Sequence, residues 1–304
     1  MDSQVCRLKI PVFTRQQAIS LIHNGQKCSG VIARDMASGE IRAFVGKATV
    51  LATGGYGRLY RESTNALINW GDGMNLAFET GIVPLGNMEA VQFHPTGLVQ
   101  NGILMTEGCR GDGGVLLDKD GREFMRDYAP KAKNNGNLAS RDVVARGMMK
   151  RIRDGFGVKS PYGEYLWLDI KRLGKEHIEK KLSDIAFICR NFIGVDPVKD
   201  LIPVRPVQHY SMGGVRTNIF GEAYGLKGLF SAGETACWDL HGFNRLGGNS
   251  LLETIAAGYV VGSRVIDYVK NNDSAFRSSF IEQEIKKQEE RIKKIVSARE
   301  RGEC

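Results

Sequence analysis

No Cys-x-x-Cys pair occurs among the six cysteines, which stand alone at positions 6, 28, 109, 189, 237 and 304. Neither a zinc site nor an iron–sulfur site is therefore visible, and no metal is expected. Scattered free thiols favour a reducing, cytoplasmic compartment. Proline is scarce, at 8 residues, which argues against a disordered or collagen-like chain. Internal repeats and low-complexity tracts are absent. No apolar run reaches the length of a membrane span. The best candidate, Leu251 to Val265, is short and broken by Glu253 and Arg264. The opening Met1-Asp2-Ser3-Gln4 lacks signal-peptide character, so any membrane contact is expected to run through a partner. The Lys and Arg behind the net charge of +8 are scattered, with no basic block and no interleaved aromatics. Nucleic acid is thus not an expected partner, and attraction of an anionic substrate or a docking face fits better.

Glycine, by contrast, is abundant. Its 37 residues in 304 are roughly 12%, against about 7% on average, and they cluster at turns, as expected where backbone approaches a ligand closely. Between them lie chemically rich runs: Gln92-Phe93-His94-Pro95-Thr96-Gly97, then Leu104-Met105-Thr106-Glu107-Gly108-Cys109-Arg110-Gly111, Ser140-Arg141-Asp142, His209-Tyr210-Ser211-Met212-Gly213-Gly214 and Asn244-Arg245-Leu246-Gly247-Gly248-Asn249-Ser250-Leu251. Together they supply two imidazoles, three guanidiniums and several hydroxyls. Such a set suits a small dianion gripped at both ends and handed a proton.

The chain divides by character. Residues 5–52 read as β-rich, with a hairpin signal at Asn24-Gly25 between two apolar runs. Lys47 to Leu51 reads as a buried strand stopping at Ala52-Thr53-Gly54-Gly55, and Gly71-Asp72-Gly73 opens a helix that Asp72 could cap. Residues 87–207 carry more charge and longer loops and read as an inserted α+β domain, within which Ser140-Arg141-Asp142 starts a helix through Ile152. A parallel-sheet signature returns at Leu229-Phe230-Ser231-Ala232, ending in Gly233-Glu234. The helix over Leu251 to Val269 carries Ala256, Ala257, Gly258 and Gly262, small enough for close packing on a sheet. Phe276, Phe280, Ile281, Ile285, Ile292 and Ile295 then recur at helical spacing, giving one apolar face that would want partner helices. Trp70, Trp167 and Trp238 read as packing residues.

In this order the motifs resemble the flavoprotein subunits of fumarate reductase and succinate dehydrogenase, over about residues 10–270. The resemblance implies an α/β fold: a Rossmann-like FAD-binding domain (1–86 and 208–270), interrupted by a capping domain (87–207) and followed by the start of a helical domain (271–304). No G-x-G-x-x-G turn occurs near residue 1, and Gly54-Gly55-Tyr56-Gly57 lies elsewhere, so the chain is expected to begin within the flavin domain and to stop early in the helical one. The implied activity is interconversion of fumarate and succinate at FAD. The implied partners are an iron–sulfur subunit and a quinone-reactive membrane anchor, which would hold the protein peripherally on the cytoplasmic side of the inner membrane. L-Aspartate oxidase shares most of the motifs and stays open as an alternative, as does an inactive fragment.

Roles carry over by the same resemblance. Arg141 is the expected proton donor, with Glu107 and Arg110 as its path to solvent. A guanidinium is a weak acid, so Arg141 would act as a brief relay. The bland alternative is a helix-start arginine paired with Asp142 or another neighbour. His94, Thr106, His209 and Arg245 resemble the substrate clamp. Thr53, Gly54, Gly55, Asp72, Glu234, Arg245, Ser250 and Leu251 are the expected FAD contacts, with helix capping the alternative for Asp72 and a surface charge for Glu234. Cys109, beside a cation, reads either as a modifiable thiol without a chemical role or as a small buried hydrophobe.

Overall fold

The computed structural model describes residues 2–272 and 278–301. A short helix α1 (Asp2–Arg7) precedes the first strand, within a segment expected to be β-rich. Asp2 in its first turn and Arg7 in its last complement the helix dipole. The hairpin forms as the sequence predicts. Strands β1 (Gln16–His23) and β2 (Cys28–Asp35) pair antiparallel with β3 (Ile41–Val45) beyond them. Asn24 Oδ1 fixes the turn by accepting from the backbone N–H groups of Gln26 (3.0 Å) and Lys27 (2.9 Å). Strand β4 (Thr49–Leu51) then leads into the Thr53-Gly54-Gly55 turn, and helix α2 (Asp72–Phe78) follows.

After β5 (Leu85–Gly86), strand β6 (Val91–Leu98) enters a second sheet. Helix α3 (Gly108–Gly111), β7 (Val115–Leu117), α4 (Met125–Tyr128), α5 (Arg141–Arg151), β8 (Leu166–Asp169), α6 (Lys175–Lys181), α7 (Ser183–Phe192) and β9 (Ile202–Ser211) complete this region. Its sheet is antiparallel, ordered β6-β9-β8-β7. One hydrophobic core, with Met105, Leu116, Phe124, Val144, Met148, Leu166 and Ile202, draws only on residues between Leu98 and Val204. A second core, with Leu21, Leu51, Met74, Leu76, Val215 and Leu229, is built from chain on either side of that stretch. Strand β9 runs unbroken through residue 207, so the expected change of character there falls inside a strand.

The returning chain forms β10 (Gly214–Arg216), β11 (Leu229–Ser231) and β12 (Ala236–Cys237). β11 lies parallel to β4, in keeping with the parallel-sheet signature at Leu229 to Ala232, and β10 lies parallel to β12. Helix α8 (Asn249–Asn271) packs through Glu253, Ala257 and Val261, spaced one turn apart. Its other small residues do not pack as expected: Ala256, Gly258 and Gly262 are exposed. Helix α9 (Ser278–Glu300) lies against β1 and β3, buries Gln288, and pairs Arg291 with Glu79 at the end of α2 at 2.9 Å. Phe276 lies outside the described residues. Trp70 is not a packing residue, being 56% exposed.

Candidate active site

Alternation along a strand sends residues two apart to one face, and Gln92 and His94 stand so on β6. Both are buried. The antiparallel neighbour β9 brings Tyr210 opposite Gln92 and sets the His209 ring 5.2 Å from that of His94, edge to face. His94 Nδ1 accepts from the Thr96 backbone N–H at 3.2 Å, so the proton of the neutral ring sits on Nε2. That Nε2 is buried and has no hydrogen-bond partner among the described residues. Burial first, then the charges of Arg141, Arg110 and Arg245 and the neighbouring His209, hold the His94 imidazole well below its ordinary range. His209 shares a 2.7 Å hydrogen bond between its Nδ1 and Thr64 Oγ1. Burial, then Arg245 and Arg141, push its pKa down to about 3. Both rings are thus neutral at physiological pH and serve as hydrogen-bonding groups, not as cations.

The guanidiniums converge on the same place. Arg141 is the first residue of α5 and is buried. Its Nε donates to Glu107 Oε2 at 2.9 Å, its Nη2 forms an ion pair with the same oxygen at 2.9 Å, and its Nη1 donates to Gln92 Oε1 at 3.3 Å. The alternative pairing with Asp142 does not form, because Asp142 accepts from Ser140 Oγ (2.6 Å) and Arg146 Nη2 (2.6 Å). Gln92 turns its amide nitrogen the other way, donating to the Arg245 carbonyl (2.6 Å) and Asn244 Oδ1 (2.8 Å). One buried amide therefore ties the α5 arginine to the Asn244-Arg245 loop. Sequence reasoning assigned Gln92 no role, although its place two residues before His94 puts it on the same strand face.

Arg245 is buried, with one N–H on the Leu246 carbonyl (3.2 Å) and its Nε unpartnered among the described residues. Arg110, wholly buried, donates to the Asn137 carbonyl and leaves Nε and Nη2 unpartnered among the described residues. Burial lowers its pKa to about 10, with Arg141 adding to the shift and Glu107 opposing it. Thr106 stays exposed at the head of α3, its hydroxyl accepting from the Gly108 N–H at 3.3 Å. Cys109 is not the modifiable thiol. It is fully buried in the larger core, and burial pushes its pKa up to about 12, which keeps it an unreactive small hydrophobe.

A second group of residues faces the turn after β4. A Cβ on Gly55 would stand 2.2 Å from Ser211 Oγ and 2.4 Å from Glu234 Oε1, so only glycine fits there. Glu234 Oε1 accepts from the Ser211 N–H (2.9 Å) and Oγ (3.0 Å). Thr53 Oγ1 accepts from the Gly73 N–H at 3.2 Å, so the start of α2 is held by Thr53, and the expected Asp72 cap does not form. Asp72 is exposed and lines a groove with Gln17, Asn75 and Arg291. Ser250 and Leu251 occupy the first turn of α8, after Gly248 in the left-handed conformation (φ 81°). Leu251 is 73% exposed there, an apolar side chain at the start of the helix.

Burial raises the Glu234 carboxyl to about 7, against the pull of its Ser211 bonds. A carboxyl raised on folding favours the fold only while protonated. Its contribution is complete below about pH 4.5 and is lost as pH rises through about 7. Glu234→Gln, which keeps an acceptor for Ser211, is expected to melt with the wild type at pH 4.5. At pH 8.5 it should be more stable, on the order of 2–3 kcal/mol. Thermal melts of the flavin-free protein at the two pH values check this, and an equal difference at both would contradict it.

Residues 1–251 match the family described as the FAD binding domain. The chain is 53% identical over 281 residues to the fumarate reductase flavoprotein subunit of Helicobacter pylori, covering 84% of this chain and 39% of that protein. It is 43% identical over 268 residues to the mitochondrial succinate dehydrogenase [ubiquinone] flavoprotein subunit of Oryza sativa, covering 85% and 42%. A mutant quinol fumarate reductase from Escherichia coli superposes with a TM-score of 0.86 at 37% identity, covering 91% of this chain and 48% of that one. The chain spans less than half the length of these relatives. Its mixed helix and sheet, with helices at the C-terminal end, is the α/β FAD-binding fold that the sequence motifs anticipate.

Proposed function

We propose that this chain, which belongs to the FAD binding domain family, is part of a flavoprotein subunit that interconverts fumarate and succinate. The observation that carries this reading is the buried Nε2 of His94. It is a donor with no partner among the described residues, in a cluster where Arg110, Arg141 and Arg245 face neutral imidazoles and Glu107. A buried excess of positive charge beside unpaired donors suits a dianion. Arg245 takes one carboxylate of the diacid, and His94 and His209 hydrogen-bond the other, with Thr106 at the rim. Gripping both ends orients the double bond and excludes water.

When bound, FAD would supply the hydride chemistry at one alkene carbon of fumarate, in either direction. Arg141 gives a proton to the other carbon and is reprotonated by one that Glu107 takes up from solvent and passes on; one Glu107 oxygen already lies 2.9 Å from two of its nitrogens. Arg110 supports the path beyond Glu107. Thr53, Gly54, Gly55, Asp72, Glu234, Arg245, Ser250 and Leu251 would hold the cofactor. The Gly55 turn leaves room a side chain would fill, the Glu234 carboxyl can face ribityl or ribose hydroxyls, and the exposed Leu251 suits a flat apolar ring. In this reading residues 87–207 cap the flavin-binding segments 1–86 and 208–270, and residues 271–304 begin a helical domain. Electrons are exchanged with an iron–sulfur subunit, which with a quinone-reactive membrane anchor holds the protein on the cytoplasmic side of the inner membrane. Among the described residues no helix is long and apolar enough to cross a membrane, so attachment falls to those partners.

The flavin-loaded protein should oxidise a reduced viologen dye when fumarate is added. An absence of fumarate turnover, with hydrogen peroxide released from aspartate instead, would overturn the reading in favour of an aspartate oxidase.

A further inference from the structure

Arg245 lacks an acidic partner within ion-pair distance among the described residues; what lies under it is a ring. Its guanidinium carbon is 4.6 Å from the centroid of Tyr210. Tyr210 is itself buried, 3% exposed, and cannot swing. Its O–H donates to Glu253 Oε2, and the same oxygen accepts from His241 Nε2 at 2.9 Å. The His241 ring stands edge-on to the Tyr210 ring, 5.6 Å between centroids. Glu253 is also buried, at 5%, and belongs to the packing face of α8. Three segments thus meet at one phenol: β9, the loop before Arg245, and α8, which follows that loop.

Two physical consequences follow. A cation over an aromatic face is held by the negative face of the ring and uses none of its N–H groups in doing so. A carboxylate in the same place would neutralise the guanidinium and occupy the fork that a substrate carboxylate needs. The ring therefore fixes Arg245 without using its donors; one N–H goes to the Leu246 carbonyl, and Nε is unpartnered among the described residues. Secondly, burial and then the bond to Glu253 hold the Tyr210 phenol protonated, and an O–H donated to a carboxylate draws electron density onto the phenol, which makes the ring face more negative and its grip on Arg245 firmer.

We propose that Tyr210, locked by Glu253 and His241, is a positioning residue that sets the orientation of the Arg245 guanidinium for a dicarboxylate substrate. The proposal rests on the fumarate–succinate reading above. Tyr210→Leu removes the ring, Tyr210→Phe keeps it without the O–H, and Glu253→Gln keeps an acceptor without the charge. Measured in the flavin-loaded protein, Tyr210→Leu is expected to raise KM for fumarate about tenfold, with kcat within about threefold of wild type and flavin content unchanged. The Phe and Gln variants should raise KM by about two- to threefold, with kcat unchanged. A merely structural role predicts the opposite split: kcat and flavin content fall together, and Leu and Phe do not differ in KM. That result, or wild-type KM in all three variants, overturns the proposal. Should the Leu variant fail to fold, Glu253→Gln decides by the same KM criterion. Malonate binding by calorimetry separates the two readings. If wild type binds malonate and Tyr210→Leu binds it tenfold more weakly, but fumarate is not turned over, then the catalytic reading fails and the positioning role stands. If wild type binds no malonate, both fall.

Discussion

Arg141→Ala is expected to lower fumarate turnover about a thousandfold, the range lost when a positioned general acid is removed, while bound flavin stays at wild-type stoichiometry. The argument is geometric. Arg141 contacts Glu107 through two nitrogens and Gln92 through a third, so a single side chain is both the donor and the link to its proton supply. Arg141→Lys should fare little better. A lysine has one nitrogen where three are used, and it cannot bridge Glu107 and Gln92 at once. Stability should change by less than about 1 kcal/mol, since Glu107 is partly exposed and water can take over its hydrogen bonds. Steady-state assays with flavin absorbance, alongside thermal melts, test the three statements together. A variant that keeps more than a tenth of wild-type turnover would remove Arg141 from the acid role.

Local chemistry was legible in the chain. The Asn24-Gly25 hairpin is fixed by one Asn side chain acting over three residues, and the β4–β11 parallel pair joins two short apolar runs that announce themselves. The convergence of His94, His209, Arg141 and Arg245 was legible only because several motifs fell in a recognisable order; no periodicity places residue 94 beside residue 209. What was missed depends on contacts across long separations. Cys109 looked activated by its neighbour Arg110, but burial, which no spacing reveals, outweighs that charge. Asp72 looked like a helix cap, yet the Thr53 hydroxyl reaches the Gly73 N–H first. The apolar stripe of α9 was visible, but not that a β-sheet face would receive it. Gln92 and the Tyr210–Glu253–His241 chain were hidden for the same reason: each is an ordinary polar residue until the fold supplies its partners.

The far end of α5 carries a test of how Arg141 is held in place. Arg151, the last residue of that helix, is anchored by Asp118, which follows β7 and is fully buried. Asp118 Oδ2 accepts from Arg151 Nε at 3.0 Å and also from its Nη2, while Oδ1 accepts from the backbone N–H groups of Asp120 and Arg122, both at 3.0 Å. The Arg151 guanidinium also stacks 3.6 Å from the centre of the Phe156 ring. Asp118→Ala leaves that guanidinium buried without its counter-charge and two amides without acceptors, and is expected to destabilise the protein by about 3–5 kcal/mol. The pH dependence has a definite sign. Burial alone would raise the Asp118 carboxyl, but the bonds from Arg151 and the two amides outweigh it and hold the carboxyl below its ordinary value. A carboxyl depressed on folding stabilises above its unfolded pKa, and that contribution is lost as pH falls through the folded value. The gap between wild type and Asp118→Ala should therefore be widest near neutral pH and should narrow in acid, below about pH 4. Urea melts at pH 7 and pH 3 would measure it. A gap that stays constant, or widens in acid, would mean that packing around Asp118, and not its charge, secures the end of the helix that begins at Arg141.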